Sequence, residues 1–350
     1  MTVTGHSHPA QPDEPIEALV KVEELHKHYP VRSFKMFGSE DTAIRAVNGV
    51  SFEIHRGETL GLVGESGCGK STTGRTVLRL EEPTAGHVWF EGIDLATLDN
   101  ERMRLIRKRM QVVFQDSADS LNPRMSTGRT IAEPLHIFEL GTDAEIKAKV
   151  ADLMELVGLN PAWAKRFPHE FSGGQRQRIN IARALAIDPD FIVLDEPISA
   201  LDVSIQAQVV NLLADLQSRL GLTYLFIAHD LAMVRHISDR IAVMYLGRIV
   251  ETADANALFE EPLHPYSQAL ISAVPLADPK KERTRIPIVL EGEVPSPGNM
   301  PAGCVFHPRC PQAVDVCGQE VPAFREFKPG RFVACHLVDD AGSHVIRQGP

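Results

Sequence analysis

The chain has no run of about eighteen apolar residues, the length a helix needs to cross the hydrocarbon of a bilayer. Its first residues, MTVTGHSHPAQPDEP, hold no apolar stretch of the kind that heads a secretory leader, so folding in the cytosol is expected. Positive charge is in deficit. A formal net charge of −10 excludes a molecule built throughout as an electrostatic trap for nucleic acid, and no nucleic-acid partner is expected. Cysteine is scarce: of five, one lies in a glycine-rich loop and four in the last fifth of the chain, unlike the disulfide framework of a secreted domain. Internal repeats and low-complexity tracts are missing too. With 43% hydrophobic and 23% charged residues, the composition excludes disordered and fibrous classes.

A length of 350 residues fits one large domain with an appendage, or two domains. Residues 1–16 read as a loose polar tail. From Ala18, ALVKVEEL reads as a strand, followed by a polar insertion over roughly 31–42 and a second strand in AIRAVNGVSFEI. TLGLVGE then runs into GESGCGKS and the helical STTGRTVLRL, a strand, loop and helix in sequence; HVWFEGIDL reads as one more short strand. Residues from about 100 to 172 read as mostly helical, in ERMRLIRKRM and TDAEIKAKVADLMELVGL. The core resumes with a helix from FSGGQRQRINIARALAI and buried strands in FIVLDE and TYLFIAHD, with the amphipathic VVNLLADLQSRLG between them. RIAVMYLGRIVE reads as a hairpin turning at glycine, and the proline-rich stretch 262–301 as a loop-rich module wrapped on the main domain.

The chemistry begins at Gly64, Glu65, Ser66, Gly67, Cys68, Gly69, Lys70 and Ser71, which match G-x-x-x-x-G-K-[ST] between a strand and a helix. Glycines let successive backbone N–H groups face one concavity, and the helix N-terminus adds positive potential. Lys70 then reaches the β- and γ-phosphates of a nucleotide, Ser71 offers a hydroxyl to Mg²⁺, and Thr72 continues the helix start. A glycine-rich turn with an incidental lysine would account for the glycines but not for the Gly-Lys-Ser order.

Downstream, an apolar strand ends in Asp195 and Glu196, which places two carboxylates at a sheet's C-terminal edge. Asp195 is expected to organise Mg²⁺ and Glu196 to polarise the attacking water. Alone, such a strand end is common; beside a phosphate loop it gains meaning. Ser172, Gly173, Gly174 and Gln175, opening a helix, make a second place where a phosphate could dock. One chain has no evident need of two.

Taken together these motifs resemble the ATP-binding cassette ATPases over roughly Leu19 to Glu251. The resemblance implies an α/β P-loop nucleotide-binding domain with a RecA-like core, an antiparallel β subdomain and a helical subdomain. It implies ATP and Mg²⁺ as ligands, and a pairing in which Ser172–Gln175 of one subunit complete the partner's nucleotide site. Gln115 in VVFQD then falls at the loop that contacts the metal, Asp202 in Ser199-Ala200-Leu201-Asp202 at the inter-subunit loop, and His229 in IAHD at the γ-phosphate switch. Tyr29 in HKHYP matches the position that stacks on adenine. Phe171 departs from the family's usual leucine, leaving Ser172 and both glycines intact.

EEPLHPYSQAL and EGEVPSPGNMPAGCVFHPRCP resemble the C-terminal extension of ATPase subunits of bacterial dipeptide, oligopeptide and nickel importers, and SLNPRMS with PSPGNMPAGC looks like the F-type of the two paired ATPases. The implied division is a tail at 1–16, a nucleotide-binding domain at 17–261, the extension at 262–340 and a tail at 341–350. The implied partners are a D-type ATPase as heterodimer, two transmembrane permeases and an extracytoplasmic solute-binding protein, at the cytoplasmic face of the bacterial membrane. Peptides are the expected cargo, with nickel or another small solute as the alternative.

Cys304, Cys310, Cys317 and Cys335 lack the C-x2-C pairs of zinc ribbons; their spacing leaves open an iron–sulfur cluster, zinc or unliganded buried thiols. The resemblance implies a 4Fe–4S cluster. A soluble cassette ATPase of translation or repair is disfavoured, because neither a second G-x-x-x-x-G-K-[ST] nor sustained heptads occur. A non-hydrolysing binding module is disfavoured by the presence of both Glu196 and His229.

Overall fold

The computed structural model describes residues 18–32, 41–115, 120–199, 201–275, 283 and 287–338. In chain order the elements are β1 (Ala18–Arg32), β2 (Asp41–His55), β3 (Thr59–Val63), α1 (Lys70–Val77), β4 (Ala85–Phe90) and β5 (Ile93–Asp94). There follow α2 (Asn100–Ile106), β6 (Met110–Val113), α3 (Thr127–Ile137), α4 (Asp143–Leu156), α5 (Gly173–Leu185), β7 (Phe191–Asp195) and α6 (Val203–Leu220). The remainder is β8 (Thr223–Ile227), α7 (Leu231–Ile237), β9 (Arg240–Tyr245), β10 (Arg248–Asp254), α8 (Ala255–Glu260), α9 (Pro265–Ser272), β11 (Arg325–Lys328) and β12 (Arg331–Val333). Among the described residues no helix is long and apolar enough to cross a membrane. The expected tails at 1–16 and 341–350 lie outside the described residues.

Two sheets result. The smaller, in order β2-β1-β4-β5, is antiparallel; the larger runs β11-β12-β10-β9-β3-β8-β7-β6. From β9 to β6 every pairing of the larger sheet is parallel. A parallel strand covered on both faces must be apolar throughout. All five residues of β3, of β7 and of β8 are accordingly buried.

Strand periodicity sorts those side chains into two cores. Ile192, Leu194, Tyr224 and Phe226 join the helical side with Val209, Leu213 and Ile179. Phe191, Val193, Leu225 and Ile227 face the opposite way, onto α1 and the small sheet, with Leu60, Leu62 and Val77.

The reading of 100–172 as helical misses β6. Helix α2 stops at Ile106, and Met110–Val113 pairs in parallel with β7 at the sheet edge. A four-residue segment with three apolar positions cannot be told from a helix turn by its period, so the pairing decides. HVWFEGIDL likewise proves to be two strands, β4 and β5, reversing at Glu91 and Gly92.

The region after Pro262 is more than a wrapped module. Strand β12 pairs antiparallel with β10 and β11 with β12, so the extension widens the main sheet. Its buried anchor is Glu251, whose two carboxylate oxygens accept from the backbone N–H groups of Leu263 and His264, each at 2.8 Å. Tyr266, Val305 and Phe306 enter the same core as Tyr245 and Val250.

Candidate nucleotide site

All the candidate catalytic groups emerge at the C-terminal ends of the parallel strands, where open α/β sheets bind ligands. The glycine loop follows β3, Gln115 follows β6, Asp195 ends β7 and His229 follows β8. Sheet order β3-β8-β7-β6 sets them side by side.

The loop at 64–71 takes its shape from contacts that admit no side chain. A Cβ on Gly64 would lie 2.1 Å from the Met244 carbonyl oxygen, and one on Gly69 would lie 2.0 Å from that of Ala46. Lys70 is buried, and its Nζ donates to the carbonyls of Gly64 at 2.8 Å and Glu65 at 3.0 Å. The ammonium thereby closes the loop around itself at the start of α1. Cys68 is buried with Sγ 3.8 Å from Lys70 Nζ; burial pushes its thiol up, with Lys70 opposing.

Ser71 Oγ donates to Asp195 Oδ1 at 2.7 Å. Asp195 is almost fully buried, which raises its carboxyl above the ordinary value; the Ser71 bond and the Arg75 guanidinium act the other way. Next to it, Gln115 Nε2 donates to Glu196 Oε2 at 2.9 Å, and His229 Nδ1 stands 3.5 Å from the same oxygen. Glu196 has φ +46°, a left-handed conformation that non-glycine residues rarely adopt, and its N–H donates to Ile227 at 2.9 Å. The strained backbone turns the carboxylate out of the strand toward Gln115 and His229.

Loop and sheet edge border one cavity of about 490 Å³, with Asp195 behind Ser71 rather than among its lining residues. Ser66, Gly67, Gly69, Lys70, Ser71 and Thr72 line it from the loop, and Gln115, Glu196 and His229 from the sheet edge. Ile44, Ala46 and Pro297 complete the wall. Mg²⁺ favours oxygen ligands and few protein groups. The Ser71 hydroxyl, the Asp195 carboxylate and the Gln115 amide supply such a set, so the residues present fit the ion.

Several expected nucleotide residues lie elsewhere. Glu65 points away from the cavity, and its carboxylate pairs with Arg309 at 2.8 and 3.3 Å. Tyr29 is itself not among the lining residues but stands next to them: its hydroxyl donates to Glu81 and is hydrogen-bonded with Thr72, and its cross-strand partner Ile44 lines the cavity. Ser172 is the N-cap of α5, bonded reciprocally with Gln175. Ser172–Gln175 and Asp202 are not among the lining residues, and a Cβ on Gly173 would lie 3.2 Å from Leu201, so signature and inter-subunit loop adjoin each other.

The iron–sulfur expectation gains no support. Cys304, Cys310, Cys317 and Cys335 are free thiols, and among the described residues no group of three or more His, Cys, Asp or Glu is arranged to hold a metal ion. The four do sit near one another: the Cys304 N–H donates to the Cys317 carbonyl at 2.8 Å. Burial pushes Cys310 up to about 11 and Cys335 up to about 12, with the neighbouring cysteines adding to the shift.

A phosphate loop beside a parallel sheet, facing an acidic strand end and the histidine after β8, defines a P-loop ATPase cassette. Residues 47–199 match the ABC transporter model, and residues 250–317 that of the oligopeptide/dipeptide transporter C-terminal region. The chain is 52% identical to oligopeptide transport ATP-binding protein AppF of Bacillus subtilis, over 92% of this chain and 98% of that protein. It is 53% identical to the probable peptide ABC transporter ATP-binding protein y4tS of Sinorhizobium fredii, over 94% of this chain and 93% of that one. Among solved structures, the dimeric post-hydrolysis state of the ATP-binding cassette MJ0796 bound to ADP and Pi superimposes with a TM-score of 0.60. It has 30% sequence identity and covers 67% of this chain and 98% of that one. The chain belongs to the ATP-binding proteins of ABC transporters, in the oligopeptide and dipeptide branch.

Arg309, Tyr266 and Pro297 were absent from the sequence reading of the site. Arg309 and Tyr266 contact Glu65 from more than 200 residues away and Pro297 reaches the same cavity wall, and no local pattern marks them.

Proposed function

We propose that this chain is the ATP-hydrolysing subunit that powers peptide import across the cytoplasmic membrane. The observation that carries the hydrolytic part is the convergence of Gln115 and His229 on Glu196, beside the Ser71–Asp195 pair and the phosphate loop. Bound Mg²⁺ would neutralise developing phosphate charge, held by Ser71, Asp195 and Gln115. Lys70 and the loop N–H groups bind and orient the phosphates. Glu196 orients the attacking water and accepts its proton, and His229 faces the γ-phosphate position. The peptide assignment is supported by the extension's family match and by the names of the relatives.

Ser172–Gln175 stand apart from the chain's own cavity, which supports a site completed by a second cassette. The proposed assembly is a heterodimer with a D-type ATPase on the cytoplasmic face, beneath two permeases fed by an extracytoplasmic binding protein. ATP would close the pair and hydrolysis reopen it. A 4Fe–4S cluster on the four cysteines has only their proximity in its favour, and no step runs through it; iron and sulfide analysis of anaerobically purified protein tests it. The assembly is tested by purifying the tagged chain from native membranes. A second cassette ATPase and two permeases should accompany it, with hydrolysis stimulated by peptide-loaded binding protein; a chain that purifies alone or with ribosomes contradicts the reading.

A further inference from the structure

Arg309 is nearly buried at the side chain, in a short turn at His307–Arg309, and its guanidinium takes the Glu65 carboxylate in a fork, Nη1 to Oε2 at 2.8 Å and Nη2 to Oε1 at 3.3 Å. A guanidinium withdrawn from water needs such a partner. The same residue is held a second time, because the Glu65 backbone N–H donates to the Tyr266 hydroxyl at 2.8 Å. Glu65 is the second residue of the phosphate loop, and on its other side its carbonyl accepts from Lys70 Nζ at 3.0 Å. A contiguous set of polar contacts thus runs from the extension through one residue, Glu65, to the lysine that meets the phosphates.

The extension's end of this set is rigid. Tyr266 and Tyr245 rings lie 4.7 Å apart, and Phe306 packs edge-on to Tyr245 at 5.2 Å and tilted against Tyr266 at 5.4 Å. All three are fully buried. A second segment reaches the cavity mouth, where the Pro297 carbonyl accepts from the Arg45 N–H at 3.2 Å and Pro297 forms part of the wall.

We propose that the C-terminal extension is a working part of the nucleotide site, with Arg309 and Tyr266 as positioning residues that hold Glu65 and so set the loop's affinity for MgATP. The inference rests on reading residues 64–71 as the nucleotide loop. Neither residue touches the nucleotide; both act through the Glu65 peptide and Lys70. A purely structural clamp would alter stability alone, whereas a positioning clamp alters ATP affinity in proportion to the loss of Glu65's partners.

The test is calorimetric titration of the full chain with MgATP, alongside thermal melts. Arg309→Gln and Glu65→Gln are each expected to raise Kd about tenfold, and the double variant no more than the larger single, because the pair acts as one unit. Arg309→Lys should recover part of the affinity, since it keeps the charge but loses the fork. Tyr266→Phe keeps the ring packed, so it should raise Kd severalfold with Tm little changed. In the assembled transporter, KM for ATP should rise while kcat stays within about twofold. Wild-type affinity in Arg309→Gln and Tyr266→Phe overturns the proposal, as do single effects that multiply in the double variant. Should Arg309→Gln not fold, Tyr266→Phe and Glu65→Gln decide. A wild-type chain that does not bind MgATP at all overturns the nucleotide reading itself.

Discussion

Ser71 Oγ donates to Asp195 Oδ1 at 2.7 Å, joining the first turn of α1 to the end of β7 across 124 residues. The bond sets a buried carboxylate directly behind the Ser71 hydroxyl that lines the cavity, the pairing a magnesium nucleotide requires. Asp195→Asn keeps an acceptor for Ser71 but removes the negative charge. We expect ATP hydrolysis to fall by about a hundredfold or more, and ATP affinity to lose its dependence on added Mg²⁺. Titration with and without EDTA checks both.

Gln115 and His229 share one oxygen of Glu196. Either Gln115→Ala or His229→Ala should lower kcat in the assembled complex by about ten- to a hundredfold, with ATP affinity of the isolated chain nearly unchanged for His229→Ala and reduced in the presence of Mg²⁺ for Gln115→Ala, which loses a metal ligand. Steady-state hydrolysis beside equilibrium binding distinguishes this from a general loss of structure.

Ser172 serves two purposes that can be separated. As the N-cap of α5, its loss to alanine should cost about 1 kcal/mol of stability. Ser172→Asn restores a capping group, so stability should return while hydrolysis by the cassette pair stays impaired. The isolated chain's ATP affinity should be unaffected in both variants, since Ser172 does not line its own cavity. Denaturation curves and complex ATPase rates read the two effects independently.

The extension's thiols supply a chemical prediction. Burial raises Cys310 to about 11 and Cys335 to about 12, so at pH 8 the folded protein holds both protons while an exposed thiol near 9 is already partly ionised. Thiolate is the reactive form, and two pKa units correspond to about a hundredfold slower alkylation. Mass-spectrometric labelling of metal-free protein at pH 8 should show Cys310 lagging the denatured chain by that order and Cys335, three units up, by about a thousandfold. The lag should shrink as pH rises toward 11, Cys310 first.

Local signals carried the centre of the site into view. The phosphate loop, the acidic end of β7 and His229 after β8 are each short patterns whose chemistry depends on a few consecutive residues. Strand β6 escaped because four residues, Gln111 among them polar, have no decisive period, and only pairing with β7 makes them a strand. Strand β12 escaped because its partner, β10, lies about 80 residues earlier in the chain, and β11 is a strand only by pairing with β12. Glu65 was legible as part of a motif, yet its side chain serves Arg309, a contact no spacing announces. The bond of the Tyr29 hydroxyl to Glu81 was equally unannounced; it engages the hydroxyl and does not bear on the stacking the family resemblance implies for the ring.

The measurement that bears most directly on the account is ATP turnover by the purified transporter carrying Glu196→Gln. The substitution keeps the side chain's shape and its place beside Gln115 and His229, but removes the carboxylate that accepts a proton from water. The account predicts that nucleotide still binds, accumulates as unhydrolysed ATP in a closed pair of cassettes, and that phosphate release falls by about a hundredfold or more. Hydrolysis at the wild-type rate would contradict it.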